Sequence, residues 1–124
     1  MSHKLQIQKS IDYIEKHLCD PIKLSELAKQ SHFSEFHFHR LFHKVVGTSV
    51  MEYVRKRRLS EAAVELSETD EKITGIAFKY QFSSEESFSR AFKKLYSVSP
   101  RDYRNTRREL AGRGKTGRVL CKAA

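Results

Sequence analysis

Apolar residues recur at steps of three and four along nearly the whole chain, the spacing that lines one face of an α-helix. Ile7, Ile11, Ile14 and Leu18 share such a face. They predict a first helix ended by Asp20-Pro21, because the residue before a proline is driven out of helical backbone. A short helix over residues 24–30 follows. The next opens near Ser34, carries Phe38, Leu41, Phe42 and Val45 as its stripe, and stops at Gly47. Ser49-Val50-Met51-Glu52 has capping-box spacing and opens a long helix reaching about residue 67. Asp70 or Glu71 restarts a helix through Tyr80, and Ser83-Ser84-Glu85-Glu86 caps another that ends near Tyr96. Ser99-Pro100-Arg101-Asp102 then sets a capping residue before a proline at the first helical position. Strand signals are nearly absent, so the expected fold is all-α with about seven helices.

The pattern repeats. At an offset of 49, Leu24, Leu27, Ala28, Phe33 and Ser34 meet Ile73, Ile76, Ala77, Phe82 and Ser83. One residue is then inserted. At an offset of 50, Glu35, Phe38, Arg40, Phe42, Lys44, Ser49 and Tyr53 meet Glu85, Phe88, Arg90, Phe92, Lys94, Ser99 and Tyr103. Each copy reads as a short helix, a tight turn and a longer helix, the proportions of a helix-turn-helix. A solenoid of helical hairpins is the duller reading, but such arrays need three or more repeats with caps.

Between the copies the apolar stripe changes sides. At about 100° per residue from Val50, Tyr53 and Val54 fall near 300° and 40°, whereas Leu59, Ala62, Ala63 and Leu66 cluster near 120–220°. Such a helix serves two cores, one per copy. The expected organisation is a helix-turn-helix subdomain over residues 1–48, a shared linker helix over 49–67, a second subdomain over 68–105, and a flexible basic tail or linker over 106–124. The linker would be about 28 Å long, near the roughly 34 Å between major-groove segments one turn apart.

Composition changes the picture by its charge: 24 Lys and Arg against 15 Asp and Glu leave the 124 residues at net +9, which suits an anionic partner. No run approaches the roughly 18 apolar residues of a membrane span, and residues 1–9 lack the apolar core of an export signal. These features point to a chain that meets no membrane and works in the cytoplasm, on the nucleoid, with Cys19 and Cys121 as reduced thiols. Double-stranded DNA is the expected partner. RNA binding is disfavoured by the lack of a sheet bearing stacking aromatics.

DNA-reading side chains must lie opposite each core stripe. In the first copy these are Phe36, His39, Arg40 and His43, with Lys44 beside them. Arg40 suits a bidentate contact to guanine or an ordinary phosphate contact, and Phe36 suits thymine methyl groups. In the second copy the face holds Glu86, Ser89, Arg90, Lys93 and Lys94, with Glu85 at its edge. The acids either cap the helix or accept a hydrogen bond from cytosine, and both readings stand. Arg55, Lys56, Arg57 and Arg58 on the linker meet either phosphate, for which Arg55 and Lys56 are the candidates, or carboxylates of the chain itself.

His39 and His43, one turn apart with His37 close by, raise zinc, but no further ligand is required to approach, and no metal is expected. The same imidazoles would turn cationic in mild acid and strengthen phosphate binding. Gly114-Lys115-Thr116 lacks phosphate-loop spacing because Glu109 stands where glycine is needed. No catalytic arrangement and no cofactor loop is legible, so neither an enzyme nor a cofactor is expected.

The sequence resembles the AraC/XylS family, in its stand-alone two-motif form of the MarA, SoxS and Rob kind. The resemblance spans residues 7–104. It is carried by Leu24-Ser25-Glu26-Leu27-Ala28, by Tyr53-Val54-Arg55 with Arg58-Leu59 and Ala62-Ala63, and by Ile76-Ala77 with Tyr80-Gln81-Phe82. Phe88-Ser89-Arg90-Ala91-Phe92-Lys93, Ser99-Pro100 and Tyr103-Arg104 complete it. It implies a bacterial transcription regulator, usually an activator, that binds an asymmetric site as a monomer and contacts RNA polymerase. The alternative is the DNA-binding output half of a longer ligand-sensing regulator. Relatives carry Trp and Gln at the places of Phe36 and His39, so sequence preference is expected to differ. They carry glycine at the places of His32 and Gln81, where a left-handed backbone would be strained.

Overall fold

The computed structural model describes residues 3–111. Seven helices run through them: α1 (His3–Lys16), α2 (Leu24–Gln30), α3 (Glu35–Val46), α4 (Val50–Glu68), α5 (Ile73–Lys79), α6 (Glu85–Tyr96) and α7 (Pro100–Ala111). Among the described residues there is no strand, and no helix is long and apolar enough to cross a membrane. The chain divides into two compact units, and the division falls inside α4 between Arg57 and Arg58.

In the first unit Ile7, Ile14, Leu27, Phe38, Phe42 and Val54 are fully buried. In the second, Leu66, Ile76, Ala77, Phe88 and Phe92 do the same work, joined by Leu59, Ala62 and Ala63. The stripe of α4 therefore does change hands along its length. Aromatic geometry is duplicated too: Phe42 meets Tyr53 edge to face at 5.8 Å, and Phe92 meets Tyr103 likewise at 5.3 Å. Val45, expected in the core stripe, is instead 40% exposed. It lies at the edge of the stripe that Phe38 and Phe42 centre.

Both helix-turn-helix turns are Schellman turns. Phe33 N–H donates to Ala28 O at 2.9 Å and His32 N–H to Lys29 O at 3.1 Å; Phe82 donates to Ala77 O at 3.0 Å and Gln81 to Phe78 O at 3.1 Å. The closing residue must be left-handed, and His32 and Gln81 adopt φ of 63° and 72° without being glycine. Each such residue costs roughly 1–2 kcal/mol that the surrounding unit must supply. The longer helices begin alike, Ser34 Oγ accepting from His37 N–H at 3.1 Å and Ser84 Oγ from Ser87 N–H at 3.0 Å. Ser84, and not Ser83, is thus the counterpart of Ser34, and the residue inserted into the second copy is Ser83.

Three expectations are corrected. α5 starts at Ile73 rather than near Asp70, because residues 69–71 are drawn out of helical register. Arg104 donates to Leu66 O and Glu71 O, both at 2.7 Å, and Arg108 donates to Thr69 O and pairs with Asp70 at 2.8 Å. The same contacts hold residues 104–111 as helix, where a flexible tail was expected from 106; residues 112–124 lie outside the described residues. Finally, Cys19, 7% exposed, stands in a disulfide and not as a thiol. Cys121 lies outside the described residues.

Candidate nucleic-acid interface

The second helix of each unit presents the face opposite its buried phenylalanines to solvent. On α3, Phe38 and Phe42 point inward, and Phe36, His39, Arg40, His43 and Lys44 are all exposed. On α6, Phe88 and Phe92 point inward while Glu86, Arg90, Lys93 and Lys94 are exposed and Ser89 is half-buried. Helical period fixes this division, since residues three and four apart share a face.

The α3 face is organised around an aromatic ring. Phe36 is 70% exposed, a large apolar side chain left in water, and the Arg40 guanidinium lies over it, 5.5 Å from the ring centre. Such a contact contributes about 0.5–1 kcal/mol at an exposed site and restrains the arginine. Phe36, His37, Arg40, Leu41 and Lys44 line an open hollow of about 400 Å³. Its floor is apolar and its rim cationic, which suits a thymine methyl flanked by phosphate.

The α6 face is organised around acids. Glu86 takes the place of Phe36 in the repeat, and its carboxylate stands 3.8 Å from the Arg90 guanidinium. Glu85 accepts a hydrogen bond from the Thr74 hydroxyl of α5. That bond links the two helices of the motif, a role that no local pattern announced.

Of the four cations on α4, Arg57 has a fixed intramolecular partner. Its Nε and Nη2 donate to the two oxygens of Glu15 at 2.7 and 2.8 Å, and the Tyr53 hydroxyl donates to Glu15 at 2.9 Å. The Arg57 hydrogen bonds hold the Glu15 carboxyl below its ordinary range, and burial with the Glu15 bond pushes Tyr53 up to about 12. Arg55 and Lys56 are exposed, whereas Arg58 is half-buried. In the second unit the fully buried Glu65 accepts from Lys79 Nζ at 2.9 Å and from the Tyr80 hydroxyl. Sequence reading missed both Glu15 and Glu65, because each looks like an ordinary solvated acid on an amphipathic helix. Among the described residues, no three His, Cys, Asp or Glu stand where they could hold one metal ion.

Residues 27–106 match a family described as helix-turn-helix domain. The uncharacterized HTH-type transcriptional regulator YbfP of Bacillus subtilis is 48% identical over 104 residues, 84% of this chain and 35% of YbfP. The chain thus spans about a third of that relative. The HTH-type transcriptional activator AarP of Providencia stuartii is 40% identical over 98 residues, 79% of this chain and 73% of AarP. A crystal structure of a transcriptional regulator from Chromobacterium violaceum, with an AraC-type DNA-binding domain, superposes with a TM-score of 0.80 at 25% identity. It covers 90% of this chain and 96% of that one.

Proposed function

The chain belongs to the AraC/XylS family of DNA-binding transcription regulators, and from that premise we propose that α3 and α6 are its two reading helices, inserted into adjacent major-groove segments of one asymmetric site. The observation that carries this is the duplicated outward face: Arg40 and Arg90 stand exposed at the same repeated place on helices with the same caps and turns. In the first half-site, Arg40 contacts guanine, Phe36 packs on thymine methyls, and His39, His43 and Lys44 reach bases or phosphate. In the second, Arg90, Ser89, Lys93 and Lys94 make the contacts and Glu86 discriminates. Arg55 and Lys56 contact phosphate. The subdomains are residues 1–48 and 68–105, joined by the helix over 49–67.

The chain works as a monomer on DNA, since both readers are on one polypeptide. We assign it an activator's role by likeness to relatives such as the transcriptional activator AarP, with RNA polymerase as the partner that the family resemblance implies. A second reading, the output half of a longer ligand-sensing regulator, is favoured by one observation: its counterpart in YbfP is 35% of that protein.

The test is selection of duplexes from a random pool, followed by footprinting. We expect protection of roughly 20 base pairs without two-fold symmetry. Arg40→Ala relaxes base preference in one half and Arg90→Ala in the other, each by about 1–3 kcal/mol. Lys56→Ala weakens all sequences alike. A palindrome bound by a dimer, or arginine variants that leave every base preference intact, overturns the reading.

A further inference from the structure

Each unit carries a tyrosine and an arginine one turn apart at one repeated place. Tyr53 and Arg57 stand on the first half of α4, and Tyr103 and Arg107 stand 50 residues on, in α7. The two helices open alike: Ser49 Oγ accepts from Glu52 N–H and Ser99 Oγ from Asp102 N–H, both at 3.1 Å. Each tyrosine also meets the second buried phenylalanine of its unit edge to face, Tyr53 on Phe42 and Tyr103 on Phe92. The match is therefore structural as well as sequential.

Among the described residues only the first pair holds a carboxylate. Glu15 of α1 accepts two guanidinium N–H bonds from Arg57 and the hydroxyl bond of Tyr53. In the second unit the place of α1 is taken by the second half of α4, whose buried Leu59, Ala62 and Leu66 follow Ile7, Ser10 and Ile14 at an offset of 52. At that offset Glu15 becomes Ser67, whose hydroxyl turns back to donate to Val64 O at 3.0 Å. The exposed Arg107 guanidinium lies over Tyr103, 5.3 Å from the ring centre, and no carboxylate among the described residues pairs with it. Residues 112–124 contain no Asp or Glu.

We propose that Tyr103 and Arg107 form a receptor for a glutamate carried on a helix of a partner protein, the second unit taking from outside the carboxylate that Glu15 supplies within the first. The chemistry of the occupant is read from the first unit, where the same two side chains hold a helix-borne carboxylate. A planar guanidinium receives a carboxylate through two parallel hydrogen bonds. Leu110, 74% exposed, continues the face of α7 one turn beyond Arg107. An apolar side chain beside the cation suits a protein surface and offers a phosphate nothing. A matching helix carries apolar residues one turn to either side of its glutamate, to cover Leu110 and the edge of the Tyr103 ring. The inference does not rest on the assignment of α3 and α6 to DNA.

The probe is an alanine-based helical peptide bearing one glutamate with a leucine one turn to each side, compared with the same peptide bearing glutamine. Binding is followed through the arginine Nε–H resonances of the isotope-labelled chain without DNA. We expect the glutamate peptide to shift the Arg107 resonance and to bind about three- to tenfold tighter than the glutamine peptide. Arg107→Ala removes that preference. Ser67→Glu, which restores an internal carboxylate, removes it as well. Arg107→Ala leaves the Kd for the selected duplex within about twofold. A wild-type chain that does not distinguish the two peptides overturns the proposal, as does either variant that keeps the preference. A duplex that shifts the Arg107 resonance and binds Arg107→Ala more than about tenfold more weakly also overturns it, because the occupant is then phosphate. Self-association in sedimentation that Arg107→Ala abolishes overturns it in favour of a second copy of the chain.

Discussion

At one repeated place Phe36 lies beneath Arg40 in the first unit, and Glu86 stands beside Arg90 in the second. The contrast extends inward. Where the buried Ser31 and Ser10 hydroxyls share a hydrogen bond of 3.1 Å, the second unit has Tyr80, tied to the buried carboxylate of Glu65. Yet the turns, caps and paired phenylalanines coincide. The frame is specified by apolar spacing and by backbone that can close a left-handed turn, and neither depends on which polar groups fill the remaining places. Polar wiring is thus the part free to diverge after duplication, and it decides what each unit reads and how each fails.

The largest difference expected is in stability. Lys79→Met leaves the fully buried Glu65 without its cation and costs about 3–5 kcal/mol, whereas Ser31→Ala in the first unit costs about 1 kcal/mol. Equilibrium unfolding in urea checks both, and equal costs would break the contrast.

Next comes the close of each reading helix. Gly47 adopts φ 99° freely, but Ser97 in the same role sits at 69°. Ser97→Gly should therefore stabilise by about 1–2 kcal/mol and Gly47→Ser destabilise by a similar amount. Thermal unfolding of the two variants should shift in opposite directions.

On DNA the two faces should respond with opposite sign. Phe36→Ala frees Arg40 and weakens binding by about 0.5–1 kcal/mol. Glu86→Ala removes a carboxylate that repels phosphate and restrains Arg90, and strengthens binding by up to about 1 kcal/mol. Loss of affinity in both variants would show that the acid reads a base.

The smallest effect is the acid sensitivity of the first unit. Because Arg57 depresses the Glu15 carboxyl in the folded chain, the pair stabilises above the ordinary carboxylate value of 4.5 and is lost as pH falls through the lower folded value. The stability gap between wild type and Glu15→Gln should be largest near neutrality, at about 0.2–1 kcal/mol, and should shrink in acid. Tyr53, pushed up to about 12, keeps its proton throughout that range.

Local signals carried the frame. The shift of apolar side along α4 was readable from Val50, Val54, Leu59 and Leu66 alone, since helical period converts spacing into direction. The cap at Ser34 was legible for the same local reason, whereas the second cap was read only as Ser83-Ser84 and fell to Ser84 in the fold. Left-handed backbone at His32 and Gln81 was expected from the family resemblance, whose members carry glycine there. The bond from Arg57 to Glu15 spans 42 residues and that from Tyr80 to Glu65 spans 15. Neither leaves a trace in periodicity, because side-chain pairing across helices is settled only when the helices pack. The start of α5 was misplaced on the same ground, as arginines of α7 draw out the carbonyls of residues 66–71. Of the candidate face, the exposure of Arg40 and Arg90 was legible, and their different companions at 36 and 86 were read as composition without geometry.

Those arginines have a bearing on how the chain tolerates change. Arg104 grips the carbonyls of Leu66 and Glu71, and every residue possesses a carbonyl, so the grip makes no demand on the exposed Glu71 side chain. In a saturation library screened for DNA binding, position 71 should accept most residues except proline while position 104 accepts almost none. A connector held through its main chain can drift in sequence without moving in space, and the mutational burden is concentrated on the arginines that do the holding.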